Sequence, residues 1–365
     1  MPRAPNAVDF WRGFALITIF IDHVPGLVYS HYTLANFSIS DAADLFVFLA
    51  GWSLRLMSEG PGRGTRDVVL RLFGRSLEIY AAQVLITMLA IAMLAASAIA
   101  LDNPLLLEWH NAAAVFNDPV PAHIGLAILT HQLGYFDILP LYVVLMLMAP
   151  LFAVIDRLAP LWLLPLSLAF YAVVLGLRLT LPSWPVPGHW FFNPLAWQAV
   201  FVLGFVMAKG NAGPGAWARK NIRWLRLIGI PIVIMGALMY QLNLWPDPTK
   251  VPDPKLFFIA DKSFCTPIRL IQFLSLVAVF SLAFPYIQKA AERRVLGGPV
   301  RQLIGLLALL GRNSLHVFCV GSLLSLAAQI VRYYYRGTVE IDTAVLISGI
   351  VIMALTAWFA EARRR

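Results

Sequence analysis

The chain is short of charge. Of its 365 residues only 13% are Asp, Glu, Lys or Arg, well below the ~25% of soluble domains. It is also short of cysteine. Cys265 and Cys319 cannot make a disulfide framework, and both lie in apolar runs where a thiol packs as a small hydrophobe. Zinc-ligand spacing, a nucleophile elbow, a dinucleotide fingerprint and a phosphate loop are all missing. The GPGRG stretch at residues 60–64 is a turn without the strand and helix that a nucleotide loop requires. These absences exclude a small secreted disulfide scaffold and an enzyme built on any of those motifs, and they leave no metal site.

What is there instead is apolar. Hydrophobic residues make up 60% of the chain and mean hydropathy is +0.75. Apolar stretches of about 18 or more residues recur along it, the signature of repeated spanning helices. The expected fold is therefore all-α: a polytopic membrane helix bundle of about ten spans forming one domain over residues 1–365. The spans fall near 10–29, 42–58, 76–101, 135–156, 160–181, 194–209, 224–243, 264–285, 302–331 and 340–360. The third and ninth are long or broken, and the second and sixth short. The first is retained and not cleaved, because it carries Arg12 and Asp22 and lacks a small-residue cleavage site. A transporter-type internal repeat is not visible.

Basic residues alternate between connections. One set holds Arg63, Arg66, Arg71 and Arg75, then Arg219, Lys220, Arg223 and Arg226, then Lys289, Arg293, Arg294 and Arg301, and finally Arg363, Arg364 and Arg365. The other set is poor in Lys and Arg and rich in Asp, Pro and Trp. The positive-inside rule puts both termini in the cytoplasm and accounts for the net charge of +9 without nucleic acid. The outer connections, such as LTLPSWPVPGHWFFNP, offer aromatic rings and amides suited to a carbohydrate; the same residues are ordinary at a membrane interface.

Within WRGFALITIFIDH, Arg12 and His23 are eleven residues apart. On a helix that spacing puts both on one face, about 16 Å apart along the axis. Ionisable side chains inside a span are costly and point to function. His23 titrates near working pH and can deprotonate a hydroxyl, or it can bond a neighbouring span. Arg12 can hold the phosphates of an acyl donor, or it can snorkel to lipid. Asp22 is about 100° around the helix from His23 and lines the cavity or meets another span. Asp41 and Asp44 fit an N-cap with an acidic N3; one of them can also hold an acceptor hydroxyl or bond His23. Gly51 and Ala50 permit close helix packing.

In FFNPLAWQAVFVLG, Asn193 caps a helix begun by Pro194. Asn193, Trp197 and Gln198 share helical neighbour spacing and can face one cavity. Arg178 and Arg269 sit in apolar runs, and each needs a carboxylate, a ligand or water; Arg269 is the better candidate for the far carboxylate of a dicarboxylic acyl group. Asn313, Ser314 and His316 form a polar cluster in LLGRNSLHVFC.

Four segments in order, DFWRGFALITIFIDHVP, SDAADLFVFLAG, NPLAWQ and LGRNSLHVFC, resemble the OpgC proteins within the acyltransferase-3 superfamily of membrane acyltransferases. The resemblance covers essentially the whole chain. It implies succinyl-CoA as a cytoplasmic donor, a periplasmic glucan as acceptor, and an inner-membrane location. It matches Arg12 to the donor-side basic residue and His23 to the catalytic histidine. Around them the expected site has Asp22 and Asp44 as catalytic partners and Arg75 beside Arg12 at the donor. Asn193, Trp197, Gln198, Arg269 and His316 are expected on the substrate. Membrane lipids are expected partners, and a homodimer stays open. Acetyl or other O-acyl transfer to an envelope polysaccharide, a transporter of a lipid-linked or acidic solute, and a scaffold without chemistry are the competing readings.

Overall fold

A computed structural model describes residues 5–58, 64–293 and 297–364. Arg63, Arg294, Arg365 and residues 60–63 of the GPGRG turn lie outside the described residues. The helices are α1 (Ala7–Asp22), α2 (Ala42–Ser58), α3 (Thr65–Ala100), α4 (Ala113–Asn117), α5 (Pro119–Ala127), α6 (Ile138–Leu158), α7 (Leu163–Leu177) and α8 (Pro194–Ala208). They continue as α9 (Gly213–Lys220), α10 (Ile222–Gln241), α11 (Pro267–Phe280), α12 (Ala283–Ala290), α13 (Gly297–Arg312), α14 (Ser314–Tyr335) and α15 (Val339–Ala362). Among the described residues the only strands are a two-residue antiparallel pair, Pro182–Ser183 with Gly188–His189.

Among the described residues six helical stretches are long and apolar enough to cross a membrane: α3, α6, α10, α11 continued by α12, α14 and α15. A seventh arises if α8 and α9, bent by 70°, count as one broken span. The protein is thus a multi-pass, all-α membrane protein. At 16, 17 and 15 residues, α1, α2 and α7 fall short of the ~20 that a hydrocarbon core needs.

One expected span changes shape, and the ninth is broken, one of the two forms expected of it. The first, placed at 10–29, stops being α-helical at Asp22, and residues 28–36 turn as short 3₁₀ segments. Pro25 and the left-handed Gly26 (φ +75°) explain this, since neither continues a helix. The ninth, at 302–331, is two helices broken at Asn313, whose backbone (φ −109°, ψ 31°) leaves the helical region.

The chain divides into two compact units. The first gathers residues 1–49, 216–245 and 269–365. Asn6 starts α1: its side chain accepts from the Asp9 N–H at 2.9 Å while its amide donates to the Asp9 carboxylate at 2.7 Å, a reciprocal cap. α1 then packs on α13, α14 and α15. Glycine permits the closest of these contacts. A Cβ on Gly13 would lie 1.9 Å from the Leu307 carbonyl oxygen, and one on Gly311 would lie 1.9 Å from that of Asp9. The α1 and α13 backbones therefore touch, as small residues allow in membrane bundles. Phe10, Phe284, Ile304 and Leu307 bury their side chains around this seam.

The second unit holds residues 50–215 and 246–268. α3 packs on α6, and α7 on α8. Gly51 performs the close packing expected of it, because a Cβ there would sit 1.8 Å from the Phe201 carbonyl oxygen. Asp156 binds the buried Arg55, whose guanidinium also lies over the Phe205 ring at 5.1 Å.

Candidate active site

In the first unit, α1 carries Arg12 in its second turn and delivers His23 as its C-terminal cap. The His23 N–H closes the helix on the Ile19 carbonyl at 3.0 Å. Asp22 is the last helical residue. Arg12 and His23 therefore remain one helix length apart, with the imidazole leaving the chain where α-helix gives way to irregular backbone. Both side chains are half-buried, and His23 Nδ1 is shielded from solvent. Arg12 Nη2 lies 3.4 Å from the Leu49 carbonyl oxygen.

Asp41 and Asp44 form the expected capping pair. The Asp41 carboxylate accepts the Ala43 N–H, and the Asp44 carboxylate accepts the Asp41 N–H, both at 2.9 Å. Arg269 joins them. Its Nε meets Asp44 Oδ1 at 3.1 Å, its Nη2 meets both Asp44 Oδ2 and Asp41 Oδ2, and its Nη1 bonds the Ile39 carbonyl. Arg269 and Asp44 are buried. One residue turn along α11, Gln272 accepts the Ser40 N–H at 3.1 Å. The carboxylates that meet the need of Arg269 for a partner are those opening α2. His316 is exposed on α14, and Asn313 sits in the break before it, its amide bonding the Leu309 carbonyl at 3.0 Å.

In the second unit, Asn193 caps α8. Its oxygen accepts the Leu195 N–H at 3.2 Å and its amide donates to the Leu179 carbonyl at 2.7 Å. The Trp197 indole donates to the Lys262 and Ser263 carbonyls at 3.1 and 3.2 Å. Gln198 accepts from the Ser167 hydroxyl at 2.6 Å and donates to its carbonyl at 3.0 Å. All three are buried, and their polar atoms tie the 179–193 and 246–266 connections and α7 onto α8. Arg75 lies half-exposed on α3 and bonds Glu78 at 2.6 Å. Lys262 lies over the Phe191 and Phe192 rings at 5.6 and 5.4 Å. Just ahead of α6, burial raises the Asp137 carboxyl to about 6, with Lys262 opposing. His131 in the same connection is buried, which lowers its pKa, while a bond to the Asn111 backbone opposes that.

Several members of these networks escaped sequence reading. The Arg55–Asp156 and Gln198–Ser167 pairs join positions 101 and 31 residues apart, beyond any local spacing rule. Ser325, Gln329 and Arg332 on α14 did carry a signal, a polar stripe at i, i+4 and i+7 in an apolar helix.

A family model described as OpgC protein matches residues 3–365. No curated protein and no solved structure matches the chain.

Proposed function

Since the chain belongs to the OpgC family, we propose that it moves a succinyl group from cytoplasmic succinyl-CoA to hydroxyls of periplasmic glucans, with His23 as general base. The family places the chain in the modification of osmoregulated periplasmic glucans, as a transferase. The observation that carries the finer reading is α1 itself. One helix presents a guanidinium near its start and an imidazole at its end, about 16 Å apart on one face.

In this reading the protein spans the inner membrane ten times with both termini cytoplasmic, so Arg12 marks the donor side. Its guanidinium binds phosphate oxygens of the donor. The thioester reaches His23. A glucan hydroxyl attacks the thioester carbonyl carbon while His23 takes the hydroxyl proton, giving a tetrahedral oxyanion. Collapse breaks the carbon–sulfur bond, and the imidazolium returns the proton to the departing thiolate. The products are the glucan ester and free thiol. Asp22 shapes the polar end of α1 beside the imidazole.

Asp44 and Arg269 act here through each other. The guanidinium is already taken by two carboxylates and a carbonyl, so the pair holds the start of α2 and does not capture an acyl carboxylate. Asn193, Trp197 and Gln198 likewise support connections within the second unit, and His316 stands on an exposed face open to substrate.

Mass spectrometry of periplasmic glucans tests the reading. Cells with the wild-type chain should show succinyl mass increments. Cells carrying His23→Ala should lose them at least ~10²-fold, the usual worth of a general base, with glucan export unchanged. Retained succinyl groups in the variant would remove His23 from the mechanism, and increments of a different mass would replace the donor.

A further inference from the structure

We infer that Gln329, Arg332 and Asp342 form a clamp that fixes the His23 backbone, making them positioning residues for the transfer proposed above, on which this inference rests. The sequence reading gave these three no role. The need for a clamp follows from where α1 ends. The last carbonyls of a helix have no partner within it, and here they lead into Pro25, which cannot continue the helix, and the left-handed Gly26. Left alone, such an end frays, and the imidazole at the cap moves with it.

α14 meets this end with a row of donors. Ser325 Oγ bonds the Phe20 carbonyl at 3.2 Å, and Gln329 Nε2 bonds the His23 carbonyl at 2.6 Å. The two Arg332 amino groups bond the Pro25 and Gly26 carbonyls. Residues 325, 329 and 332 thus engage the carbonyls of 20, 23, 25 and 26 in order, one side of α14 running along the emerging chain. α15 completes the grip. Asp342, buried, holds Arg332 and accepts the Val28 N–H at 2.9 Å. Val24 and Leu27 are fully buried against Ala328, with Val345 alongside.

Both ends of the His23 segment are therefore bolted, with Phe20 before it and Val28 after it. The hydrogen bonds doing this fall on the backbone of the segment that carries the imidazole. Arg332 suits the task because a planar fork can serve one carboxylate and two carbonyls at once, which an ammonium cannot do in the same geometry. Displacing a reacting group by about 1 Å can cost ~10²-fold in rate.

The experiment uses the full chain in nanodiscs with succinyl-CoA and a purified glucan, comparing wild type, His23→Ala, Gln329→Met and Arg332→Lys. Hydrogen exchange of the 23–28 amides needs no substrate and reads the grip directly. Both clamp variants should exchange faster there and unchanged in α3 and α6. Per donor-binding molecule, kcat should fall ten- to hundredfold with KM for succinyl-CoA held within about twofold, since placement and not binding is lost. A purely structural role would reduce the number of donor-binding molecules and leave kcat per molecule intact. Adding Gln329→Met to His23→Ala should lower the residual rate no further, because the two act through one group. Unchanged exchange at 23–28, or unchanged kcat in an active enzyme, overturns the clamp alone. An inactive wild type, or an active His23→Ala, overturns the functional reading and the catalytic assignment of the clamp with it.

Discussion

Each unit of the molecule buries one arginine almost completely, and the two are used differently. In the first unit Arg269 binds two carboxylates and the Ile39 carbonyl. In the second, Arg55 binds one carboxylate and lies over the Phe205 ring. Arg55 ties helix to helix: α2, α6 and α8 meet at its guanidinium. Arg269 instead organises backbone, joining the cap of α2 to the irregular segment just before it. The same economy recurs at Arg332, which joins one carboxylate to two carbonyls. The unit that carries His23 thus uses Arg269 and Arg332 to hold non-helical chain in place. A buried ion pair is weak evidence for stability; one that also satisfies stray carbonyls is evidence that a loop's shape matters.

The comparison makes different forecasts for removing a carboxylate in the two units. Arg269→Leu strands the buried Asp44 carboxylate beside the half-buried one of Asp41 and should cost at least the ~3–5 kcal/mol of breaking a buried pair. Asp44→Asn leaves Arg269 still paired with Asp41 and should cost only about 1–2 kcal/mol, a cap and a bond. In the second unit Asp156→Asn removes the carboxylate paired with Arg55 and should cost the ~3–5 kcal/mol of a broken buried pair. Thermal melts in detergent would rank the three. Equal losses for Asp44→Asn and Asp156→Asn would break the distinction.

That contrast also marks what a sequence reader could see. The capping pair Asp41 and Asp44, the Asn193 cap, the close approach at Gly51 and the alignment of Arg12 with His23 all follow local spacing rules, and all were legible. The apolar runs gave the helical membrane fold outright. Partners brought together from distant positions were not legible: Arg269 lies 225 residues from Asp44 in sequence, and nothing local distinguishes Asp44 from Asp261 as its carboxylate. Helix ends were harder still. The chain stays apolar from Val24 to Leu27, so hydropathy carried the first span past the turn that Pro25 and Gly26 impose. The break at Asn313 falls within the span that its length had marked as long or broken.

A smaller effect probes the second unit through pH. Burial lifts Asp137 to about 6 from its ordinary 3.8. A raised carboxyl stabilises the fold most below about 4, where both states are protonated, and that contribution drains away as pH climbs through about 6. The loss is bounded near 3 kcal/mol by the size of the shift. Wild-type melting temperature should therefore decline between pH 4.5 and 7, and Asp137→Asn should flatten the decline and exceed wild type at pH 7. A parallel pH profile in the variant would show that Lys262 pairs with a full carboxylate there, placing the second unit closer to the first than the arginine comparison suggests.

The least costly change should be at Arg178, which like Arg269 sits in an apolar run but stays in the open. It meets Asp253 at 3.2 Å, with both side chains more than half exposed, so the pair itself is worth roughly 0–1 kcal/mol and is screened by salt. Its backbone matters more than its charge. Arg178 ends α7 in the left-handed region at φ +52°, which suits glycine and strains any residue with a Cβ. Arg178→Ala should shift stability by less than about 0.5 kcal/mol, keeping the strain and losing little. Arg178→Gly should then gain about 0.5–1 kcal/mol over Arg178→Ala, read as a higher melting temperature at high salt, where the ion pair no longer contributes. If Arg178→Ala instead cost as much as Asp156→Asn, exposure would have failed as the property that separates these arginines, and the division between buried cations that hold shape and exposed ones that do not would fall with it.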